Sequence, residues 1–150
     1  TICIPTYNRA NKLKKLFEIL PNYEGDFIKI LISDNCSVDE TEQICKKFQE
    51  KYSNVFYVKQ HKNIGAFNNF NYLLSLVDTP YYLLHGDDDW LDSDFIIKSL
   101  NYLEVNRDYS IATGISHYDY LYNNKQVISV KNIYFVKHWN KSIFHRSEFI

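Results

Sequence analysis

Residues 27–37 read FIKILISDNCS, and this stretch contains the pattern that decides the fold. Its first seven residues, rich in isoleucine, predict a buried strand, and the polar residues Asp34 and Asn35 follow at once. The same order of an apolar run and then polar side chains recurs at residues 1–9 (TICIPTYNR) and 81–89 (YYLLHGDDD). Ligands of open parallel sheets bind outside the carboxyl ends of the strands. The sequence therefore predicts that three polar clusters share one rim of a sheet.

Helices are predicted between these strands. Pro5 has no N–H to donate, so we expect the first strand to end there, and Asn8 or Asn11 is placed to cap the first helix. Ser37 and Glu40 have capping-box spacing before the second helix. Apolar residues recur at helical spacing: Leu13, Leu16, Phe17 and Leu20 before Pro21; Thr41, Ile44, Cys45, Phe48 and Tyr52; Phe67, Phe70, Leu74 and Val77; and Ile96, Leu100 and Leu103.

With a further strand at Val55–Val58, the first hundred residues alternate strand and helix four times. This alternation predicts an α/β fold with a mostly parallel sheet and helices on both faces. Beyond Ser110 the pattern becomes strand-like, with a hairpin turn at Asn123-Asn124. We expect one domain over residues 1–150, with halves at 1–109 and 110–150. The chain has no methionine, opens directly on an apolar run and ends at Phe149-Ile150 without a stop signal, so we also expect it to be incomplete and truncated before the second half is complete.

Composition and charge narrow the function classes. A net charge of -1 argues against nucleic-acid binding, which needs a concentrated basic face. Lys12, Lys14 and Lys15 would form a stripe on a helix, either a solvated surface or a contact with anionic lipid. The three cysteines lack CxxC spacing and indicate reduced thiols. We expect a cytoplasmic protein, with peripheral association at the inner face of the membrane left open.

Asp87, Asp88 and Asp89 directly follow an apolar strand and a glycine. Two carboxylates about 4 Å apart repel by roughly 4 kcal/mol at an effective dielectric near 20, so three in a row are costly without a cation. Carboxylate oxygens suit Mg²⁺ or Mn²⁺, and a diphosphate can fill the remaining coordination positions. A solvated acidic loop or a helix cap is the alternative; the position after a strand favours the metal.

Asp34 has two interpretations from its place at a strand end. It can hydrogen-bond a ribose hydroxyl or a base N–H, or it can form an Asx turn that leads into the next helix. The first turn has no glycine, and no GxxxxGK[ST] occurs, so a dinucleotide fold and a P-loop are both disfavoured. No histidine pair has metal-ligand spacing, and no nucleophile elbow is present.

Taken together, these residues resemble the family-2 glycosyltransferases of the Rossmann-like GT-A fold. Residues 4–9 (IPTYNR) are similar to the opening strand and loop of that family, and residues 34–41 (DNCSVDET) to its D-N-x-S-x-D-x-T segment. Asn63-Ile64-Gly65 followed by Asn71 resembles its N-x-G turn and helix. Residues 86–89 (GDDD) occupy the place of its D-x-D metal motif.

The resemblance implies metal-dependent transfer of a sugar, with inversion, from a nucleotide diphosphate donor to a glycan or lipid-linked acceptor in bacterial cell-surface polysaccharide synthesis. It implies Mn²⁺ or Mg²⁺ held by Asp88 and Asp89. If Gly86 takes the first position of the motif, Asp88 is the direct ligand, and this alignment is favoured over the one that selects Asp89. The nucleotide-sugar-binding residues that it implies are Pro5, Thr6, Tyr7, Arg9, Asp34, Asn63, Gly65 and Asp87.

The resemblance leaves the catalytic base unassigned. In this family the base comes from the acceptor half, so we expect it beyond Ile150, with Asp119 left open. Phe70 stands where many members carry an arginine. Two other functions therefore remain open: a nucleotide-sugar-binding module without turnover, and a nucleotidyltransferase, against which the lack of a glycine-rich first loop counts.

Overall fold

Strands and helices alternate through the first part of the chain, as the sequence predicts. The computed structural model describes residues 1–20, 27–89, 93–122 and 125–137. Its elements are β1 (Ile2–Thr6), α1 (Ala10–Ile19), β2 (Ile30–Asp34), α2 (Thr41–Lys51), β3 (Val55–Lys59), α3 (Ala66–Ser75), β4 (Tyr81–Leu84), α4 (Ser93–Val105), β5 (Ile111–Tyr122) and β6 (Lys125–Lys137).

The strands form one six-stranded sheet in the order β3-β2-β1-β4-β6-β5. The first four strands are parallel, whereas β6 runs antiparallel to both β4 and β5. The mostly parallel α/β sheet is thereby confirmed. The expected turn at Asn123-Asn124 and the helix-closing Pro21 lie outside the described residues. None of the described helices combines the length and apolar character that crossing a membrane requires.

Helices pack on both faces of the sheet because the strand side chains alternate. Cys3 of β1 and Leu31 of β2 point to one face, where they meet Leu73 and Val77 around α3. The other face packs against α1, α2 and α4 in a larger cluster. Its largest fully buried side chains are Ile4, Leu13, Leu20, Ile30, Ile32, Leu83, Ile96 and Leu103.

The expectation that Pro5 ends the first strand was wrong. Pro5 pairs with Ser33, and the strand continues to Thr6 opposite Asp34. Successive residues of β1 direct their backbone hydrogen-bonding groups alternately toward β2 and toward β4. The carbonyl of Cys3 accepts its hydrogen bond from the β4 side. Pro5 faces that same side, where β4 has already ended at Leu84. Its missing N–H therefore removes no ladder bond.

The predicted helix caps were also wrong. Neither Asn8 nor Asn11 caps α1, and Glu40 precedes α2 without a capping bond from its side chain. Asp39 replaces them: its Oδ2 accepts the N–H of Ala10 at 3.1 Å, and its Oδ1 accepts the N–H of Thr41 at 3.0 Å. One carboxylate thus bonds the first turns of two helices, a contact that local spacing does not reveal.

The buried face of α3 differs from the expected one. Asn69, Leu73 and Val77 are buried at intervals of four, whereas Phe67 is 75% exposed. Phe70 is only half-buried. The apolar pattern placed Val77 correctly but missed the rest of this face, whose first member is an asparagine.

Candidate functional site

An open cleft of about 510 Å³ lies at the carboxyl ends of β1 and β2 and beside α3 and the loop after β4. It contains every residue that the sequence placed in the ligand site except Asp34 and the metal pair. The lining residues are Pro5, Thr6, Tyr7, Arg9, Asn35, Asn63, Gly65, Ala66, Asn69, Phe70, Gly86 and Asp87. Sequence reasoning gave no site role to Ala66, Asn69 or Phe70.

Thr6 and Asp87 meet on the floor of the cleft. The Thr6 hydroxyl donates to Oδ2 of Asp87 at 2.8 Å, and both residues are buried. Burial raises the pKa of Asp87 above its ordinary value, and the neighbouring Asp88 and Asp89 add to the rise. The Thr6 hydrogen bond and the charge of Arg9 act in the opposite direction. A cation or a hydrogen-bond donor in the cleft would therefore stabilise the ionised Asp87.

Asp88 and Asp89 are exposed and flank the bare α-carbon of Gly86. The position that a Gly86 side chain would take lies 2.5 Å from Asp89 Oδ2 and 3.5 Å from Asp88 Oδ1. Asp89 Oδ2 also accepts the Gly86 N–H at 3.2 Å. Because Gly86 has no side chain, one carboxylate oxygen from each of these two aspartates lies close to its α-carbon. Within the described ranges, no group of three metal-ligating side chains is found, so oxygens of water or of a ligand would complete the coordination of a cation here.

Asp34 does not line the cleft. It is fully buried; its Oδ1 accepts the N–H of Ser37 and its Oδ2 accepts the hydroxyl of Tyr57, both at 2.8 Å. Burial raises the pKa of Tyr57, and the bond to Asp34 raises it further. The bond of Asp34 to Ser37 reaches three residues along the chain, one more than in an Asx turn, and holds the loop that follows β2.

The loops after β1 and β2 are tied to each other. The N–H of Asn8 donates to Ser37 Oγ at 2.8 Å, and Asn8 Oδ1 accepts the N–H of Val38 at 2.9 Å. The N–H of Arg9 donates to Thr41 Oγ1 at 3.2 Å. Asn8 adopts a positive φ of 53° to make this contact. Several residues of the matched motifs therefore hold the rim in shape and do not face the cleft.

A pair of amides ties the loop after β2 to the turn before α3. Asn35 Nδ2 donates to Asn63 Oδ1 at 2.9 Å, and Asn35 Oδ1 accepts the N–H of Ile64 at 2.8 Å. Asn63 Oδ1 also accepts the N–H of Gly65 at 2.9 Å. Gly65 has φ of +83°, a conformation that suits glycine.

Asn69 anchors α3 to the sheet. Its Oδ1 accepts the Ser33 hydroxyl at 2.6 Å, and its Nδ2 donates to the Ser33 carbonyl at 3.0 Å. Asn71, the asparagine singled out in the sequence, is instead exposed. The spacing of Asn69 with Leu73 and Val77 was the signal that could have found it.

His85, between β4 and the acidic run, was also missed. It is buried, and its Nδ1 lies 2.6 Å from the Gly86 carbonyl, so Nδ1 carries the proton. Nε2 is a buried acceptor without a hydrogen-bond partner among the described residues. Burial lowers the pKa of His85, which favours the neutral ring.

Two further sequence candidates lie on β5 and α1. Asp119 is in β5 opposite Ile128 of β6, and β6 separates β5 from β4. On α1, Lys12 and Lys15 are exposed, and Lys14 pairs with Glu40 at 3.1 Å.

Comparison with known proteins gives a match over nearly the whole chain. The profile of glycosyl transferase family 2 matches residues 1–149. Abequosyltransferase RfbV of Salmonella typhimurium is 34% identical over 111 residues, which cover 72% of this chain and 33% of that protein. The chain thus spans about a third of the length of this curated relative.

Solved structures share the arrangement of sheet and helices. The S. aureus TarS fragment in complex with UDP-GlcNAc superposes with a TM-score of 0.66 at 20% identity, over 73% of this chain and 32% of that chain. Mannosyltransferase PcManGT from Pyrobaculum calidifontis, in complex with GDP-Man and Mn²⁺, gives a TM-score of 0.65 at 17% identity, over 73% and 33% of the two chains. At these identities the likeness shows the fold alone.

Proposed function

Since the chain belongs to glycosyl transferase family 2, we propose that it binds a nucleotide diphosphate sugar in the cleft and transfers the sugar, with inversion, to a glycan or lipid-linked acceptor. Residues 1–109 hold the donor, and residues 110–150 begin the acceptor side. The observation that carries this proposal is the convergence of Pro5, Thr6, Tyr7 and Asp87 from β1 and β4 on one open cleft.

The cleft has two chemically different ends. The acidic run follows β4, whereas Asn35 and Asn63 follow β2 and β3 on the other side of β1. A divalent ion at Asp88 and Asp89 would sit at the β4 end with the diphosphate. The nucleoside would then extend across β1 toward the two asparagines.

Mn²⁺ or Mg²⁺ fits the donor set at the β4 end. Asp88 and Asp89 supply carboxylate oxygens beside Gly86, and the open geometry leaves coordination positions for diphosphate oxygens. When bound, the ion would neutralise charge that develops on the departing diphosphate.

The chain's own residues orient the donor. Asp87, held by Thr6, presents a carboxylate that can accept a hydrogen bond from a ligand hydroxyl. Arg9 lines the cleft, and its charge acts on Asp87, although no salt bridge among the described residues includes Arg9. Arg9 is therefore available to an anionic diphosphate. For Asp34 to reach a base, the Tyr57 hydroxyl would have to release it.

The exposed lysines of α1 support a peripheral contact with anionic lipid if the acceptor is lipid-linked. Lys12 and Lys15 are exposed, and each cation near such a surface contributes about 1 kcal/mol. Two lysines alone give weak attachment, so this contact is secondary to donor binding.

The test is a thermal-unfolding panel with UDP, dTDP, GDP and CDP, each with Mn²⁺ or with EDTA. A ligand at about 100 times its Kd adds roughly 2.7 kcal/mol of stability. We expect one nucleotide to stabilise the chain, and to do so only with metal. Equal stabilisation with EDTA would rule out the metal site, and no stabilisation by any nucleotide would count against a donor site in this chain. Release of free sugar or transfer by the chain would distinguish an enzyme from a binding module.

A further inference from the structure

We infer that Asn35 is a positioning residue that fixes the side-chain amide of Asn63 with its NH₂ group toward the cleft. The far end of the cleft would then offer hydrogen-bond donors to an oxygen acceptor on the nucleotide. This inference rests on the proposed donor site and adds how one of its walls recognises the ligand.

Backbone N–H groups determine the orientation of both amides. A main-chain N–H can only donate, so the atom of Asn35 that contacts the N–H of Ile64 at 2.8 Å is its oxygen. The Asn35 nitrogen must then face Asn63. The N–H of Gly65 fixes the Asn63 oxygen in the same way at 2.9 Å. Each assignment requires the other, because the two amides share a hydrogen bond of 2.9 Å.

This arrangement uses the Asn63 oxygen twice and leaves its nitrogen free. Asn63 Oδ1 accepts from Asn35 Nδ2 and from the Gly65 N–H, which together occupy both of its lone pairs. Asn63 Nδ2 makes no hydrogen bond within the described part of the chain, although the residue is exposed and lines the cleft. A ligand group beside Asn63 therefore meets two N–H donors and must be an acceptor to satisfy them.

Asn35 acts through Asn63. Asn35 is only 4% exposed, and its amide bonds to Asn63 and Ile64 in the turn before α3. Its own N–H also donates to the Thr6 carbonyl at 2.9 Å, which fixes it to the end of β1. Without Asn35, only the Gly65 N–H orients the Asn63 amide.

A double-mutant cycle tests the inference. Titration calorimetry would measure the Kd, with Mn²⁺, of whichever of UDP, dTDP, GDP and CDP stabilises the full chain most. The proteins are wild type, Asn35→Ala, Asn63→Ala and the double variant. Asn68→Ala is the matched control, since Asn68 is exposed near the start of α3 and donates to the Ile64 carbonyl without lining the cleft.

We expect Asn63→Ala to weaken binding roughly tenfold, the size of one lost hydrogen bond, and Asn35→Ala to weaken it by several fold. The double variant should bind no more weakly than Asn63→Ala. Asn68→Ala should leave the Kd within about twofold of wild type. Asn63→Asp keeps an oxygen for Gly65 and Asn35 but loses the NH₂ group, so it should fold and also bind weakly.

If Asn35 had a purely structural role, Asn35→Ala would lower the melting temperature, and it would weaken binding as much in the Asn63→Ala protein as in wild type. Such additivity, or an unchanged Kd in both Asn63 variants, would overturn the inference and leave the donor site standing. If wild type binds none of the four nucleotides, the proposed function fails and this inference fails with it.

Discussion

The hydroxyl of Thr6 and the carboxylate of Asp87 are joined by a hydrogen bond of 2.8 Å across 81 residues of sequence. The bond connects the end of β1 to the acidic loop and holds a buried charge on the floor of the cleft. Because burial and the adjacent Asp88 raise the pKa of Asp87, ionising this group costs folding stability. The ligand-free protein is thus strained electrostatically at the position proposed to bind the donor.

Asp87→Asn is expected to stabilise the ligand-free protein at pH 7 by up to about 1 kcal/mol, because asparagine can still accept the Thr6 hydroxyl without the charge. The pKa of Asp87 in the folded protein lies above that of an unfolded aspartate. The folding stability of the wild type therefore falls as pH rises through both pKa values. The advantage of the variant should therefore vanish below about pH 4. Urea unfolding in EDTA at both pH values measures this. A variant less stable than wild type at pH 7 would contradict it.

Asp88→Asn should abolish the Mn²⁺-dependent part of nucleotide binding, and Asp89→Asn should reduce it less. Asp89 already accepts the Gly86 N–H, whereas Asp88 has no hydrogen bond among the described residues and keeps both oxygens for a metal. We expect at least a tenfold loss for Asp88→Asn. Calorimetry with Mn²⁺ and with EDTA checks this, and the reverse ranking would assign the ion to Asp89.

Gly86→Ala should weaken metal binding without unfolding the chain. The added Cβ would come within 2.5 Å of Asp89 Oδ2 and 2.9 Å of its Cγ, so the carboxylate must leave the Gly86 N–H. Asp89 is exposed and can move at little cost. The Kd for Mn²⁺ in the presence of nucleotide is the readout. Adding Asp89→Asn to this variant should cause little further loss; a full additional loss would show that the two changes act separately.

Asp39→Ala should lower the free energy of unfolding by about 1–2 kcal/mol, since one carboxylate serves the first turns of α1 and α2. Burial raises the pKa of Asp39, but its bonds with Thr41 and Ala10 outweigh that effect and leave the pKa lowered. Its contribution is therefore present above about pH 4 and lost as pH falls through the folded pKa. Urea titrations at pH 7 and in acid test this, with exposed Asp108→Ala as the control.

Tyr57→Phe should destabilise the chain by about 1–3 kcal/mol, because it leaves Asp34 Oδ2 buried without its donor. The same variant frees that oxygen. If Asp34 contacts the nucleobase, nucleotide affinity should hold or rise in Tyr57→Phe and fall in Asp34→Asn. Unchanged affinity in both variants would limit Asp34 to shaping the loop.

The sheet was predictable because its strands are apolar runs with polar residues at their ends. The runs at residues 30–33 and before Gly86 carry that signal in the sequence itself. The predicted start of the second strand at Phe27 was wrong, because Phe27 is 65% exposed and the first paired residue is Ile30. The helices were harder. An apolar pattern assigned Phe67 to the core of α3, but the buried position belongs to Asn69, whose amide is satisfied by Ser33.

The site was predictable as a set of loops and less so as a set of contacts. Strand polarity brings Thr6 and Asp87 to one rim, which sequence order alone can indicate. Whether a motif residue faces the ligand or a neighbouring loop depends on contacts between distant segments. Asp39 and Asn35 are examples, since each bonds a residue in another segment at a separation that no local pattern encodes.

The central place of β1 also shapes how the protein is made. β1 precedes the other described strands along the chain but pairs on one side with β4, with Ile2 opposite Leu83. On a ribosome that adds about 5–20 residues per second, β1 can join β2 and β3 early, while its other edge stays open until β4 emerges. An open strand edge invites pairing with foreign chains. The acidic run emerges directly after β4, so translation closes that edge and completes the floor of the cleft in nearly the same interval.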